Sequence, residues 1–143
     1  MTRKVVDTVI GDGGKLAAGF FKENNDCAVR AIAFATGVSY SKAHDLFTAA
    51  GRKHGKGSSL EMIDRVAANF MSARTNLGRY HTTPTGQRRL GWCPTLATFL
   101  KEHPTGKYVV IIRRHAVAII NGKCYDSFVN SGSKPVSAFY KVA

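Results

Sequence analysis

Two apolar runs and the turn that follows them limit most strongly how this chain can fold. The run 108–112 is β-branched and continuous, as in a strand that is buried on both faces, and the run 115–120 is a second strand candidate. Asn121-Gly122 comes next, and this pair favours a two-residue hairpin turn because both residues accept positive φ angles. Residues 123–128 are therefore predicted to return as the partner strand.

The register of this hairpin predicts that a histidine and an aspartate meet. A two-residue loop pairs residue 120 with 123, 117 with 126 and 115 with 128, so His115 and Asp126 share a face as diagonal neighbours. Their backbones would lie roughly 7–8 Å apart, which lets a carboxylate hold an imidazole N–H. In the alternative interpretation, a backbone carbonyl satisfies His115 and Asp126 only ends a strand. A register shift of one residue would separate the two side chains.

An early cysteine falls at the predicted start of a helix. Asn25 and Asp26 are good N-cap residues, the segment 27–36 is rich in alanine, and Gly37 is a typical helix end. Cys27 is then in the first turn, where unpaired N–H groups and the helix dipole favour a thiolate. Such surroundings lower a cysteine pKa from ~8.5 into the ~3.5–7.5 range, so Cys27 is a candidate nucleophile. The alternative is a buried cysteine that serves only in packing.

The remaining pattern places helices before strands. The order predicts one α+β domain over residues 1–143, with a helical part at about 15–103 and a β part at about 107–143. Residues 71–91 are polar and without clear periodicity, which is typical of a functional loop or of a poorly ordered one. The further predicted elements are a helix from Ser39 or Ser41 to about Ala50, a helix from Ser58 or Ser59, a helix from Pro94 to about Lys101, and strands at 5–10 and 136–142.

Composition narrows the class of protein. With 44% hydrophobic and 21% charged residues, the chain resembles an ordinary soluble globular domain. No run approaches the ~18 apolar residues of a membrane span, and the N-terminus shows no secretory signal, so a cytoplasmic location is expected. Three cysteines without a CxxC pair indicate a reducing compartment and no zinc ribbon. No metal or cofactor is predicted, because His115, Cys124 and Asp126 lack zinc-ligand spacing.

The charge of the chain indicates anionic partners. There are 21 Lys and Arg against 9 Asp and Glu, a formal net charge of +12 that attracts nucleic acid, an anionic membrane or acidic proteins without sequence specificity. One hypothesis is therefore a basic binding module without turnover. Its contacts would come from Arg52-Lys53, Lys56, Arg88-Arg89 and Arg113-Arg114.

Two segments together resemble a known enzyme family. The sequence Asn-Asp-Cys-Ala-Val-Arg-Ala-Ile at 25–32 and the sequence His-Ala-Val-Ala-Ile-Ile-Asn-Gly-Lys-Cys-Tyr-Asp-Ser at 115–127 are similar to papain-like cysteine peptidases. Within that family, the two segments are most similar to bacteriocin-processing (double-glycine) peptidases and to small papain-like proteins of tailed phages. The match covers about residues 24–47 and 96–128. The resemblance implies N-terminal helices carrying the Cys, packed on a C-terminal antiparallel sheet carrying His and Asp. A phage-encoded chain would act in the cytoplasm of the bacterial host.

The resemblance also implies roles for individual residues. Cys27 would be the nucleophile, His115 the general base and acid, and Asp126 the residue that orients the imidazole. The expected function is a cysteine-dependent hydrolase that attacks an amide or isopeptide carbonyl of a peptide or protein. The same triad also serves isopeptidases, deamidases and acyltransferases, because the acceptor decides the reaction.

The oxyanion hole departs from the family pattern. Papain-like enzymes usually carry a Gln several residues before the Cys, whereas the one Gln of this chain is Gln87. We expect Asn24 or Asn25 to substitute, with the backbone N–H of Cys27 as the second donor.

Overall fold

A computed structural model describes residues 6–20, 23–78, 80–82, 84–90 and 93–143. The α+β class is confirmed: over these ranges the chain forms four helices and a six-stranded mixed sheet. The helices are α1 (Cys27–Thr36), α2 (Tyr40–Ala49), α3 (Leu60–Ala67) and α4 (Leu96–Glu102). None of the helices in the described ranges combines the length and the apolar character that crossing a membrane requires.

The strands form one large sheet and a separate hairpin. Strand order in the large sheet is β1-β7-β6-β5-β8-β2, and β3 pairs with β4 alone. The strands are β1 (Thr8–Ile10), β2 (Thr75–Asn76), β3 (Tyr80–Thr82), β4 (Arg88–Leu90), β5 (Lys107–Ile112), β6 (His115–Ile120), β7 (Lys123–Asp126) and β8 (Val136–Lys141).

Two predictions about these strands are wrong. The sheet is mixed and not purely antiparallel, because β1 adds to its edge parallel to β7. Residues 71–91 are not a plain loop within a helical part, because β2 pairs with β8 and β3 pairs with β4. Strands β2, β3 and β4 are two or three residues long, so they hold too few positions to show an alternating pattern in the sequence. Strand β1 lies within the strand predicted at 5–10, but its parallel partner β7 is far along the chain.

Strand β5 is buried on both faces, as predicted. Alternate residues of β5 point to opposite sides of the sheet. Val109 and Ile111 pack in the cluster built with α1, α2 and α3. Val110 and Ile112 pack in a second cluster that contains Leu96 of α4. The sheet therefore separates two apolar layers, with α1 to α3 on one side and α4 on the other.

The predicted hairpin register is confirmed for its three ladder pairs. Ile120 faces Lys123, the next pair is Ile119 with Cys124, and the third pairs residues 118 and 125. Asn121 and Gly122 have φ angles of 48° and 79°, as the tight turn requires. The ladder ends before residue 126, so the two pairs predicted beyond it are not part of the strand pairing.

Helix α1 begins at Cys27 and ends before Gly37, whose φ of 77° is typical of a residue that terminates a helix. Asp26 occupies the N-cap position but makes no side-chain capping bond. Its carboxylate instead accepts hydrogen bonds from the Tyr40 hydroxyl, at 2.6 Å, and from the Arg30 guanidinium. The expected Asp26 cap is wrong because a tertiary partner, the buried tyrosine of α2, attracts the carboxylate into the interior.

The other helix starts depend on hydroxyl caps. Ser39 caps α2 and Ser59 caps α3, each accepting a backbone N–H three residues on. Helix α4 starts at Leu96 and not at Pro94, because Thr95 is its cap. The carbonyl of Pro94 accepts the N–H of residue 136, which keeps this segment extended beside β8.

Candidate active site

The structure brings the early cysteine and the late histidine to one cavity. This cavity has a volume of about 350 Å³ and an opening to solvent. Cys27, at the start of α1, and His115, at the start of β6, both line it. The other lining residues are Ala28, Ser58, Leu60, Ile63, Ile111, Arg114, Ala116 and Ser137.

The surroundings of Cys27 favour a thiolate. Burial is the largest single influence and by itself raises the pKa of the thiol. The side chain of His115 and the backbone N–H of Ala116 both act to lower the pKa of the thiol, and the charges of His115 and Arg30 act in the same direction. These contacts outweigh burial, so the pKa of Cys27 is lower than that of an ordinary cysteine.

His115 is held by Asp126. The Nε2 atom of His115 lies 2.6 Å from Oδ2 of Asp126. Burial opposes the positive charge, but Asp126 and Cys27 outweigh it and raise the pKa of His115 to about 9. Because Nε2 is used by Asp126, Nδ1 is the ring nitrogen left to face the sulfur. The opposite shifts of Cys27 and His115 favour a thiolate–imidazolium pair.

Asp126 is fixed by two donors that follow it closely in the chain. Its Oδ2 accepts the Asn130 amide at 2.8 Å, and its Oδ1 accepts the backbone N–H of Ser127 at 2.7 Å. Burial tends to raise the pKa of this carboxyl, but the bonds from His115 and Asn130 hold it below its usual value. The carboxylate stays charged and cannot rotate freely, which fixes the plane of the imidazole.

Sequence reasoning missed three residues around this pair. Asn130 is fully buried, and Arg30 reaches towards Asp126 with Nη2 3.9 Å from Oδ1. The ring of Phe128 stacks on His115, with centroids 5.0 Å apart and planes at 24°. The predicted pairing of residues 115 and 128 was a signal for Phe128. Asn130 lies in a Ser/Gly-rich turn, where asparagine is common for conformational reasons alone.

The expected oxyanion residues lie elsewhere. Asn24 and Asn25 are exposed, and neither lines the cavity of Cys27. Nδ2 of Asn25 donates to the carbonyl of Gly55 at 3.0 Å and to the side chain of Asn24 at 3.3 Å. In this arrangement the amide of Asn25 holds the loop that follows α2. The oxyanion role of Asn24 or Asn25 stays a prediction.

One group of residues outside the cavity contains three potential metal ligands close together. Within the described ranges, ligand atoms of Glu23, His44 and His54 lie within 4.8 Å of one another. However, both carboxylate oxygens of Glu23 already accept bonds from the Arg52 guanidinium, at 3.1 and 3.0 Å. Burial raises the pKa of Glu23, but Arg52 and His44 outweigh it and lower the pKa to about 2. A buried ion pair, with a fixed positive charge beside the carboxylate, disfavours a metal cation here.

The other two cysteines differ from Cys27. All three are free thiols. Cys124 is fully buried in the α4 side of the core, and burial raises its pKa to about 12. Its sulfur accepts the Asn130 amide at 3.8 Å. Cys124 therefore has the properties of a packing residue, in contrast to the half-buried Cys27 beside His115.

The chain was compared with protein-family models, with curated proteins and with solved structures, and none of them matches it.

Proposed function

We propose that this protein is a cysteine-dependent hydrolase with a papain-like arrangement, in which Cys27, His115 and Asp126 act together on an amide or isopeptide carbonyl. One observation carries the proposal. Cys27 and His115 line one cavity, and Nε2 of His115 lies 2.6 Å from Oδ2 of Asp126. A helix that begins at the cysteine and strands that carry the other two residues support the papain-like assignment.

The first half of the reaction forms an acyl-enzyme. The Cys27 thiolate attacks the carbonyl carbon, a C–S bond forms, and the carbonyl electrons move onto the oxygen. His115 then gives its Nδ1 proton to the leaving nitrogen while the C–N bond breaks. An amine leaves and a thioester remains on Cys27. The backbone N–H of Cys27, at the start of α1, is one donor for the oxyanion.

The second half restores the site. Neutral His115 accepts a proton from water as the water oxygen adds to the thioester carbon. The C–S bond breaks, the acid leaves, and sulfur returns as a thiolate beside the imidazolium. Asp126 keeps Nε2–H in place through both halves. An amine acceptor in place of water would make the same site an acyltransferase, so the acceptor defines the reaction.

Selective alkylation tests the site without a known substrate. Iodoacetamide at about pH 6 reacts with thiolates, and few ordinary cysteines are ionised at that pH because their pKa is ~8.5. We expect Cys27 to be modified well before Cys93 and Cys124, as read by peptide mass spectrometry. His115→Ala should remove this selectivity, because the imidazole is the main contact that lowers the pKa of Cys27.

Asp126→Asn is the matched control, because it keeps the shape of the side chain and removes its charge. We expect an intermediate labelling rate, since the pKa of His115 falls when the carboxylate is lost. Equal and slow labelling of all three cysteines in the unmodified chain would contradict the proposal. If labelling is selective for Cys27, hydrolysis of a fluorogenic peptide library that is lost in Cys27→Ala would identify the reaction as peptidase chemistry.

A second candidate is a binding module that uses the same scaffold without turnover. It is favoured by exposed cations: Arg114 in the cavity of Cys27, its neighbour Arg113 in the same turn, and Lys53 and Lys56 on the loop after α2. Arg52 does not belong to this surface, because it is buried against Glu23. The side chains of Arg88 and Arg89 lie outside the described residues. Nucleic-acid binding with a steep salt dependence, unchanged in Cys27→Ala, would favour this candidate.

A further inference from the structure

Two tight hairpins in the same sheet have similar backbones but different residues. The loop between β6 and β7 is Asn121-Gly122, the pair that this turn prefers. The loop between β5 and β6 is Arg113-Arg114, with φ angles of 21° and 61°. Arginine has no local advantage at positive φ, so a backbone strain is retained at these positions. Retained strain next to a candidate catalytic residue points to a role for the side chains.

Arg114 has the position that such a role requires. It directly precedes His115 and lines the same cavity as Cys27. It is exposed, and within the described part of the chain no carboxylate lies within ion-pair distance of its guanidinium. Arg113, its neighbour in the turn, lines a different cavity together with Ser131 and Lys134. The two arginines of one turn therefore face two different sites.

The rest of the Cys27 cavity is suited to an apolar group. Ile63 and Ile111 are buried in its wall, and Leu60 contributes an apolar side chain that is 43% exposed. Ser58 also lines it, and the Ser58 hydroxyl is buried without a hydrogen-bond partner among the described residues. An unpaired buried hydroxyl is unfavourable, so a ligand carbonyl at this point would satisfy it. The cavity thus offers an apolar wall, one polar contact and one free cation.

We propose that Arg114 binds a carboxylate of the substrate, while an aliphatic side chain of the same substrate packs against Leu60, Ile63 and Ile111. This inference rests on the proposed function, because it names the substrate that the site of Cys27 would accept. A guanidinium recognises a carboxylate through two parallel N–H···O bonds. The carboxylate comes either from an Asp or Glu side chain or from a free chain end. The net charge of +12 attracts both kinds of substrate to the surface.

Protection of Cys27 from iodoacetamide tests this proposal without turnover. Three acetylated leucine-containing peptides are compared: one with Glu and an amidated end, one with Gln and a free carboxylate end, and one with Gln and an amidated end. We expect one of the two anionic peptides to protect at about tenfold lower concentration than the neutral peptide, which equals about 1.4 kcal/mol. The better anionic peptide identifies the source of the carboxylate.

The outcomes separate this inference from the proposed function. If Cys27 is selectively alkylated but all three peptides protect equally, the carboxylate site is overturned and the hydrolase proposal stands. If Cys27 is not selectively alkylated, both are overturned. If the neutral peptide protects best, the assignment of Arg114 is overturned.

Variants of the turn supply a second, independent measurement. Arg114→Gly removes the charge and the strain together, so we expect a loss of the anionic preference and a higher midpoint of urea unfolding. Arg113→Asn is the matched control, since it relieves strain in the same turn but leaves Arg114 in the cavity. We expect it to stabilise the chain while keeping the preference. Equal loss of preference in both variants would show that the charge of the turn, and not Arg114, attracts the peptide.

Discussion

At the scale of single residues, Asp126 connects the two parts of the candidate site. One of its carboxylate oxygens, Oδ2, accepts hydrogen bonds from His115 at 2.6 Å and from Asn130 at 2.8 Å. Asn130 in turn accepts a hydrogen bond from the Lys134 ammonium at 2.9 Å. A buried amide that bridges a carboxylate and an ammonium leaves few polar atoms unpaired. Asn130 therefore acts as a positioning residue for the imidazole, although it does not line the cavity of Cys27.

Removing the Asn130 amide should destabilise the fold. We expect Asn130→Ala to lower the free energy of unfolding by about 1–3 kcal/mol, because Asp126 loses a donor and Lys134 an acceptor. Asn130→Asp should lower the free energy of unfolding further near neutral pH, because two carboxylates would face each other. This loss should become smaller at acidic pH, as one of the carboxylates is protonated. Urea unfolding measures both changes. Asn76→Ala, at an exposed position, is the control and should change stability by less than about 0.5 kcal/mol. A similar loss in all three variants would contradict the role of Asn130.

The paired pKa shifts predict an unusual pH dependence of stability. His115 has a folded pKa of about 9, above its unfolded value, so its contribution is full below pH ~6.5 and is lost as the pH rises through about 9. Cys27 has a depressed folded pKa, so its contribution is full above its unfolded pKa of ~8.5 and is lost as the pH falls. Between pH ~6.5 and ~8.5 the two contributions change the free energy of unfolding in opposite directions as the pH rises. The reason is that the folded pair holds one proton on nitrogen instead of sulfur.

Removing the thiol should leave only the pH dependence of stability that His115 contributes. In Cys27→Ala, Asp126 still raises the pKa of His115, so the free energy of unfolding should fall between pH 6.5 and 9 by about 1 kcal/mol or more relative to the unmodified chain. Chemical unfolding at several pH values measures this difference. Cys93→Ala is the control and should follow the profile of the unmodified chain. Parallel profiles for all three proteins would mean that no such ion pair forms.

At the scale of elements, α1 depends on how it ends as well as on how it begins. Gly37 has a φ of 77° and accepts no side chain without strain, although open space surrounds it. We expect Gly37→Ala to lower the free energy of unfolding by about 1 kcal/mol, because an L-residue at positive φ is disfavoured. Gly57 also has open space but no positive φ, so Gly57→Ala is the matched control and should be neutral or slightly stabilising. Urea unfolding distinguishes the two, and equal effects would show that strain at Gly37 is not the cause.

The segment before α1 is tied to the loop that carries one wall of the cavity. Glu23 accepts two bonds from Arg52 and the backbone N–H of Gly55, at 2.7 Å. Arg52 also donates to the carbonyl of Asn24 at 3.1 Å. This buried network joins the approach to Cys27 to the loop that leads into Ser58 and α3. The position of the cavity wall therefore depends on an ion pair that does not touch the cavity.

At the scale of the whole molecule, the sheet separates the candidate site from half of the core. The cluster around α4 contains Phe99, which is 1% exposed, whereas Cys27 packs against the opposite cluster. We expect Phe99→Ala to lower the free energy of unfolding by about 3–5 kcal/mol while leaving the alkylation rate of folded Cys27 unchanged. Leu16→Ala is the control, because Leu16 is 54% exposed and its loss should change little. A changed alkylation rate under native conditions would mean that the two layers are coupled.

Local sequence features predicted a large part of this architecture. The register of the β6–β7 hairpin, the burial of β5 on both faces and the start of α1 near Cys27 all followed from neighbouring residues. Turn preference, side-chain alternation and helix termination act over a few positions, so they can be read without knowing the fold. The contact of His115 with Asp126 belongs to this group, because one tight turn brings the two strands together.

Tertiary structure alone decided what lies between distant segments. It placed Cys27 beside His115, added β1 and β2 at the edges of the sheet, turned Asp26 inward to Tyr40, and enclosed Arg52 with Glu23. Each of these contacts forms only because the rest of the chain packs around it and leaves no more favourable partner for the same buried space. Propensity is local and additive, whereas the closing of a core is cooperative, so none of these contacts follows from propensity or periodicity. The meeting of Cys27 and His115 was expected only from the family resemblance.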